Sequence, residues 1–160
     1  MIVFTTIDSP VGPLLLAADA DGLRLIEFSQ PRHPVKRSAE WQEGTLPVLD
    51  ATQTQLDEYF ARRRTGFDLL LSPQGTLFQR DIWAALAQIP YGQTISYGAV
   101  ATRAGHAGAM RAVGAAVGRN PVPIVVPCHR VMGADGSMTG FSGGLPVKRQ
   151  LLVLEGVLPA

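Results

Sequence analysis

The sequence predicts a mixed α/β (α+β) protein: a small β-sheet with one helix first, then a mostly helical half built around a helix-turn-helix. Three observations carry this expectation. Short β-prone runs separated by turn chemistry open the chain. Apolar residues then recur at helical spacing in two longer stretches. Finally, two short helical segments flank a glycine-containing turn. With 46% hydrophobic and 17% charged residues among 160, the chain can bury one sizeable core or two small ones. The expected division is residues 1–72, an α/β scaffold, and residues 73–160, the half that carries chemistry.

MIVFTTID, LLLAA and LRLIEF are the predicted strands, separated by SPVGP and DADG. QPRHPVKRSAEWQEGT has no period and reads as loop. Leu49, Leu56 and Tyr59/Phe60 place a helix over 46–60, which RRRTG stops. FDLLL then has the composition of a returning strand. In the second half, Thr76 and Gln79 match a capping box. Phe78, Ile82, Leu86 and Ile89 follow at helical spacing until Pro90 and Gly92. TISYGAVATRAG predicts a short helix capped by Ser96 and stopped by Gly105. AMRAVGAAVGRN predicts another, with Met110, Val113 and Val117 facing inward. That second helix is nearly bald: Gly108, Ala109, Ala112, Gly114, Ala115, Ala116 and Gly118 leave Arg111 as its one long charged side chain near the start. Small residues suit either a shallow, sequence-indifferent fit against DNA or tight packing within the protein. LPVKRQLLVLEG predicts a last helix, opening at Pro146 and ending at Gly156.

Charge divides unevenly. Residues 1–72 hold 7 Lys+Arg against 10 Asp+Glu, and residues 73–160 hold 7 against 3, so the second half is the one that can face a polyanion. The opening MIVFTTIDSP lacks a basic leader pattern and LLLAA is too short for a signal or a span; a cytoplasmic location with no membrane partner is expected. A single cysteine excludes an internal disulfide and a multi-cysteine zinc site, so no metal is expected.

That cysteine, Cys128, sits in PIVVPCHRVM, where prolines at 121, 123 and 127 stiffen the backbone into an extended presenter. It is either an inert core thiol or a nucleophile. His129 adjoins it, but neighbouring side chains diverge, so a bridging water is the plausible link between them. A carboxylate behind the imidazole would fix its tautomer. Of the three acids in the second half, Asp81, Asp135 and Glu155, the last is the plausible partner. Asn120 reads equally as a helix C-terminal cap. GADGSMTGFSGG reads as a flexible loop near the thiol, with neither a dinucleotide nor a Walker pattern.

PCHRV resembles the active-site motif of the O6-alkylguanine-DNA alkyltransferases (methylated-DNA–protein-cysteine methyltransferases). The resemblance extends through FQRDIWAALAQIPYGQTISYGAVA, RAVGAAVGRNPVPIVVPCHRVMG and TGFSGGLPVKRQLLVLEG. The opening TIDSPVGPLLLAADADGLRLIEF is similar to the family's N-terminal strands. It implies a ribonuclease H-like first domain and a minor-groove helix-turn-helix. The activity implied is DNA repair by direct reversal: one-turnover transfer of an alkyl group from O6 of guanine, and possibly O4 of thymine, to Cys128. His129 and Glu155 would form a water-linked relay, and Asn120 would hold the thiol's turn. Tyr97 would donate to guanine N3, the Ser142 N–H would meet O6, and the carbonyls of Val131 and Cys128 would take the exocyclic amine. Arg111 would fill the space left by the flipped base. Ala109, Met110, Ala112, Gly114, Arg130, Phe141 and Gly143 complete the implied DNA and base contacts. The implied partner is duplex DNA bearing O6-alkylguanine, met by a monomer with no small-molecule cofactor. Two positions depart from the pattern: Met110 replaces a small residue and Phe141 a tyrosine. A lesion-binding module with an inert cysteine, and a Cys128–His129 hydrolase, are the competing readings.

Overall fold

The computed structural model describes residues 1–160. Its first half is a four-stranded sheet in the order β3-β2-β1-β4, from β1 (Val3–Ile7), β2 (Leu14–Asp19), β3 (Gly22–Phe28) and β4 (Gln42–Glu43). β1–β2 and β2–β3 pair antiparallel, with Phe4 opposite Ala17 and Leu16 opposite Ile26. Asp19 closes the β2–β3 turn by accepting from the Asp21 and Gly22 amides. Gly22 is required there. Its φ is +146°, and a Cβ would stand 2.6 Å from the Leu70 carbonyl oxygen.

Two expectations for this half need correction. The loop after β3 holds a strand, β4, which pairs parallel with β1; two exposed polar residues carry no apolar alternation by which to read it. FDLLL does not return as a full strand: Leu71 alone bridges Leu23. Helix α1 (Pro47–Phe60) runs as expected and buries Leu49, Thr52, Leu56 and Tyr59.

In the second half, α2 (Leu77–Leu86) opens on the expected box: Thr76 Oγ1 accepts from the Gln79 amide and Gln79 Oε1 accepts from the Thr76 amide. A two-residue strand β5 (Ile95–Ser96) leads into α3 (Tyr97–Arg103), which Ser96 caps by accepting from the Ala99 amide. Gly105, at φ +79°, ends it. Helix α4 (Met110–Gly118) packs on α2 and α3 through Val113, Ala116 and Val117. Met110 is not an inward residue: it is 46% exposed, because it is the first residue of α4 and its thioether lies along Gly98 rather than in the core. Strand β6 (Val131–Met132) pairs parallel with β5, and α5 (Leu145–Leu154) closes the chain.

The halves share one apolar cluster. It runs from Leu14, Ile26 and Phe28 through Leu56 and Tyr59 to Ile82, Val113, Val126 and Leu151. Backbone bonds stitch the seam: the Ile26 amide donates to the Pro121 carbonyl and the Arg32 amide to that of Ser142, both at 2.9 Å.

Candidate active site

The site lies on the return from α4 to β6. Residues 128–130 are not extended, as the proline frame suggested. They form one 3-10 turn, because Pro127 ends the stiff stretch and its carbonyl accepts from the Arg130 amide. Upstream, Ile124 is held at φ +73°, a costly conformation for a β-branched residue. Asn120 secures this bend from both sides: its Nδ2 donates to the Val126 carbonyl at 2.8 Å, and its Oδ1 accepts from the Val122 amide at 3.1 Å. Arg119, not Asn120, occupies the helix C-terminal cap.

Cys128 is 4% exposed. Burial pushes its thiol up to about 11, against smaller opposing effects from an Asn120 hydrogen bond and the Lys148 charge. The thiol at rest is therefore protonated. His129 is fully buried. Its Nε2 stands 2.7 Å from Glu155 Oε2, and a carboxylate can only accept, so the proton is on Nε2 and the lone pair on Nδ1. Nδ1 is buried and has no hydrogen-bond partner in the protein. Burial holds the imidazole below its ordinary value even against Glu155, so it rests neutral.

Glu155, just past α5, is an ionised carboxylate in a dry place. Burial alone would raise its pKa, but hydrogen bonds from His129 and Arg130 bring it down to about 2. Arg130 donates from Nε to Oε1 at 2.8 Å, from Nη2 to Oε2 at 3.0 Å, and from Nη1 to the Ile89 carbonyl. Arg130, expected among the DNA or base contacts, is turned inward. At 5% exposure its fork is consumed by Glu155.

These side chains amount to a buried thiol, a neutral imidazole with an uncommitted lone pair, and a carboxylate behind it, all beside a helix-turn-helix. The 6-O-methylguanine DNA methyltransferase DNA-binding domain matches residues 77–157, and the ribonuclease-like domain of the same methyltransferases matches residues 2–73. The chain belongs to the 6-O-methylguanine DNA methyltransferase family. It is 44% identical to the methylated-DNA–protein-cysteine methyltransferase of Methanosarcina acetivorans, over 96% of this chain and 97% of that protein. It is 46% identical to that of Mycobacterium bovis, over 97% and 93%. Its fold superimposes on the crystal structure of Mycobacterium tuberculosis OGT in complex with DNA, with a TM-score of 0.91, 45% identity, and coverage of 96% of this chain and 93% of that one.

The other residues expected at this methyltransferase-family site are placed as follows. The 128–130 turn continues directly into β6, whose partner β5 ends at the cap of α3, so thiol and helix-turn-helix share one backbone unit. Tyr97 opens α3, and its hydroxyl is 2.7 Å from Thr139 Oγ1. The Val131 carbonyl accepts from Lys148 Nζ at 2.7 Å. Ser142 is half-buried, and its Oγ is without a partner. Phe141 and Gly143 anchor their loop on the sheet: Phe141 meets the Phe28 ring edge-on at 5.5 Å, and a Cβ on Gly143 would strike that ring. Arg111, Met110, Ala112 and Ala115 form the exposed face of α4, flanked by half-buried Ala109 and Gly114. No cluster of three metal-ligating side chains is present, and no helix is long and apolar enough to cross a membrane.

Two polar residues of the site escaped the sequence reading. Lys148 is 1% exposed with no carboxylate partner, and burial lowers its pKa. Its helical register with Leu151, Leu152 and Glu155 was the available signal. Tyr59 lies on the apolar face of α1, and its hydroxyl donates to Glu155 Oε2 at 2.6 Å.

Proposed function

We propose that this protein repairs DNA by moving an alkyl group from O6 of guanine to Cys128, once per molecule. The observation that carries the reading is the neutral His129 with Nε2–H committed to Glu155 and Nδ1 uncommitted, next to a thiol whose pKa is about 11. At neutral pH the resting thiolate fraction is on the order of 10⁻⁴. Thiolate must therefore form during the reaction, by proton transfer to Nδ1 through a water. The Cys128 sulfur forms a bond to the alkyl carbon, the carbon–O6 bond breaks, and its electron pair goes to guanine. Tyr97 donates a hydrogen bond to N3 as negative charge grows there, a role suited to a hydroxyl already held by Thr139, and solvent protonates the released guanine. The His129 imidazolium so formed lies against Glu155, which offsets its charge.

The base must leave the helical stack to reach a thiol this deep. Arg111 fills the gap, while Ala109, Met110, Ala112 and Gly114 bring the backbone of α4 against the minor groove. Asn120 fixes the thiol's turn, the Ser142 N–H meets O6, and the carbonyls of Val131 and Cys128 take the exocyclic amine. The Val131 oxygen keeps a second lone pair beside the Lys148 bond. Phe141 and Gly143 serve as the loop's anchor. Residues 1–72 act as a scaffold domain and residues 73–160 as the reacting domain. We place the protein in the cytoplasm, acting as a monomer, with O4-alkylthymine as a further substrate. The thioether product has no reversal chemistry in this chain.

The test is intact mass after incubation with duplex DNA carrying O6-methylguanine. Wild type gains one methyl group per chain, whereas Cys128→Ser gains none yet still binds the duplex. Methyl gain by the serine variant sinks the assignment.

A further inference from the structure

We propose that Tyr59, contributed by α1 from the scaffold half, is a positioning residue for alkyl transfer: its hydroxyl sets how strongly Glu155 draws on His129. The inference rests on the alkyl-transfer reading above and adds a member to the relay.

The geometry is a shared acceptor. Glu155 Oε2 takes three donors: Tyr59 Oη at 2.6 Å, His129 Nε2 at 2.7 Å and Arg130 Nη2 at 3.0 Å. Oε1 takes Arg130 Nε and the Gly92 amide. Tyr59 is the one side chain in this set from the first half, 96 residues away in sequence. Its ring is fully buried among Phe60, Phe67 and Tyr91, centroids 5.3, 5.5 and 6.3 Å away. Such an aromatic pocket suits phenylalanine equally, so packing does not account for the hydroxyl. Burial first, and then the Glu155 charge, hold the phenol well above its ordinary value, so Tyr59 is always the donor.

Donors on one oxygen compete for its electron density. While Tyr59 donates, Oε2 is a weaker base, the His129 bond is tempered, and the imidazole stays neutral with Nδ1 ready for the thiol's proton. Without the hydroxyl, the carboxylate stabilises imidazolium more strongly, and His129 holds a proton at Nδ1 at a higher pH. The other charged or titratable groups facing this cluster are Arg130 on the 3-10 turn, Lys148 on α5 and Tyr91 after α2. All three are unchanged when only the hydroxyl is removed.

The experiment measures the rate of transfer from free O6-benzylguanine to Cys128 between pH 5 and 9, avoiding any contribution from DNA binding. In Tyr59→Phe the acid limb moves up by about half a unit to one unit. Site-specific replacement of Tyr59 by 3-fluorotyrosine keeps the ring and strengthens the donor, so its acid limb moves down. Opposite displacements are the expected result. Profiles that superimpose on wild type, or that move in the same direction in both variants, overturn the proposal, and a fall in thermal stability alone assigns Tyr59 a structural role. If the phenylalanine variant does not fold, the fluorotyrosine protein decides: a downward shift supports the proposal and any other outcome overturns it. Absence of methyl gain by wild type from duplex DNA carrying O6-methylguanine overturns the alkyl-transfer reading itself, a result distinct from either.

Discussion

Glu155 is where charge, stability and chemistry meet in a single residue. Its carboxylate neutralises Arg130, whose side chain is 6% exposed, and orients His129. Glu155→Gln removes the charge but keeps the shape. Transfer to Cys128 should slow at least tenfold, and the apparent pKa of the thiol should rise as the imidazolium loses its counter-charge. Rates against pH for a free-base substrate check both; an unaltered profile removes Glu155 from the relay. The same change leaves a buried guanidinium unpaired, so unfolding should become easier by about 3 kcal/mol or more. Cys128, His129, Glu155 and Asn120 were readable because each is a chemically loaded residue in a short, proline-marked or helix-ending context. Tyr59 and Lys148 were not, because what brings them to the site is a partner supplied by another part of the chain. Arg130 likewise takes its place from partners elsewhere in the chain: Glu155 accepts from its Nε and Nη2, and the Ile89 carbonyl from its Nη1.

Among the elements, α4 has the clearest division of labour. Val113, Ala116 and Val117 fix it to the fold, and Arg111 stands on the outward face beside small residues. A flipped base leaves a gap whose unstacking costs a few kcal/mol, and a long cation can occupy it from the minor groove. Arg111→Ala should therefore slow repair of duplex DNA at least tenfold, while transfer from free O6-alkylguanine stays within about twofold. Equal slowing on both substrates, or a change in salt dependence alone, would show Arg111 to be an ordinary phosphate contact. The regular elements were legible where periodicity met a cap: α1, α2, α3 and α5 fall where their apolar spacing and end signals put them. Strands β1, β2 and β3 likewise fall on the three predicted runs, but the shorter elements were less legible. β4 is two polar residues recruited by β1, FDLLL contributes one bridge at Leu71, and the 3-10 turn at Cys128 follows from where the proline stretch ends.

At the level of the whole molecule, the uneven charge of the two halves and two buried titratable groups set its behaviour towards salt and acid. With 7 Lys+Arg against 3 Asp+Glu in residues 73–160, roughly 3–5 phosphate contacts predict a slope of about −2.7 to −4.5 for log K against log salt, with little dependence on duplex sequence. Binding isotherms at several salt concentrations test this, and a flat slope rules it out. Acid should unfold the protein in two overlapping stages. His129 is held below 6.5 by burial, so the unfolded chain takes up its proton first as pH falls. Glu155 is held at about 2 against 4.5, so its contribution is present above pH 4.5 and is lost as pH falls towards 2. Denaturant midpoints should decline from about pH 6.5 downwards, and Glu155→Gln should flatten the lower part of that decline. A decline of equal steepness in the variant would assign it to other groups. The bond from Tyr59 to Glu155 also bears on ancestry. Because one half supplies a ligand to the other half's carboxylate, the halves of two relatives are not freely exchangeable. A chimaera that keeps both folds but pairs mismatched partners at this contact should fold and still bind DNA, yet react along a displaced pH curve, so drift on either side of the seam is constrained by the other.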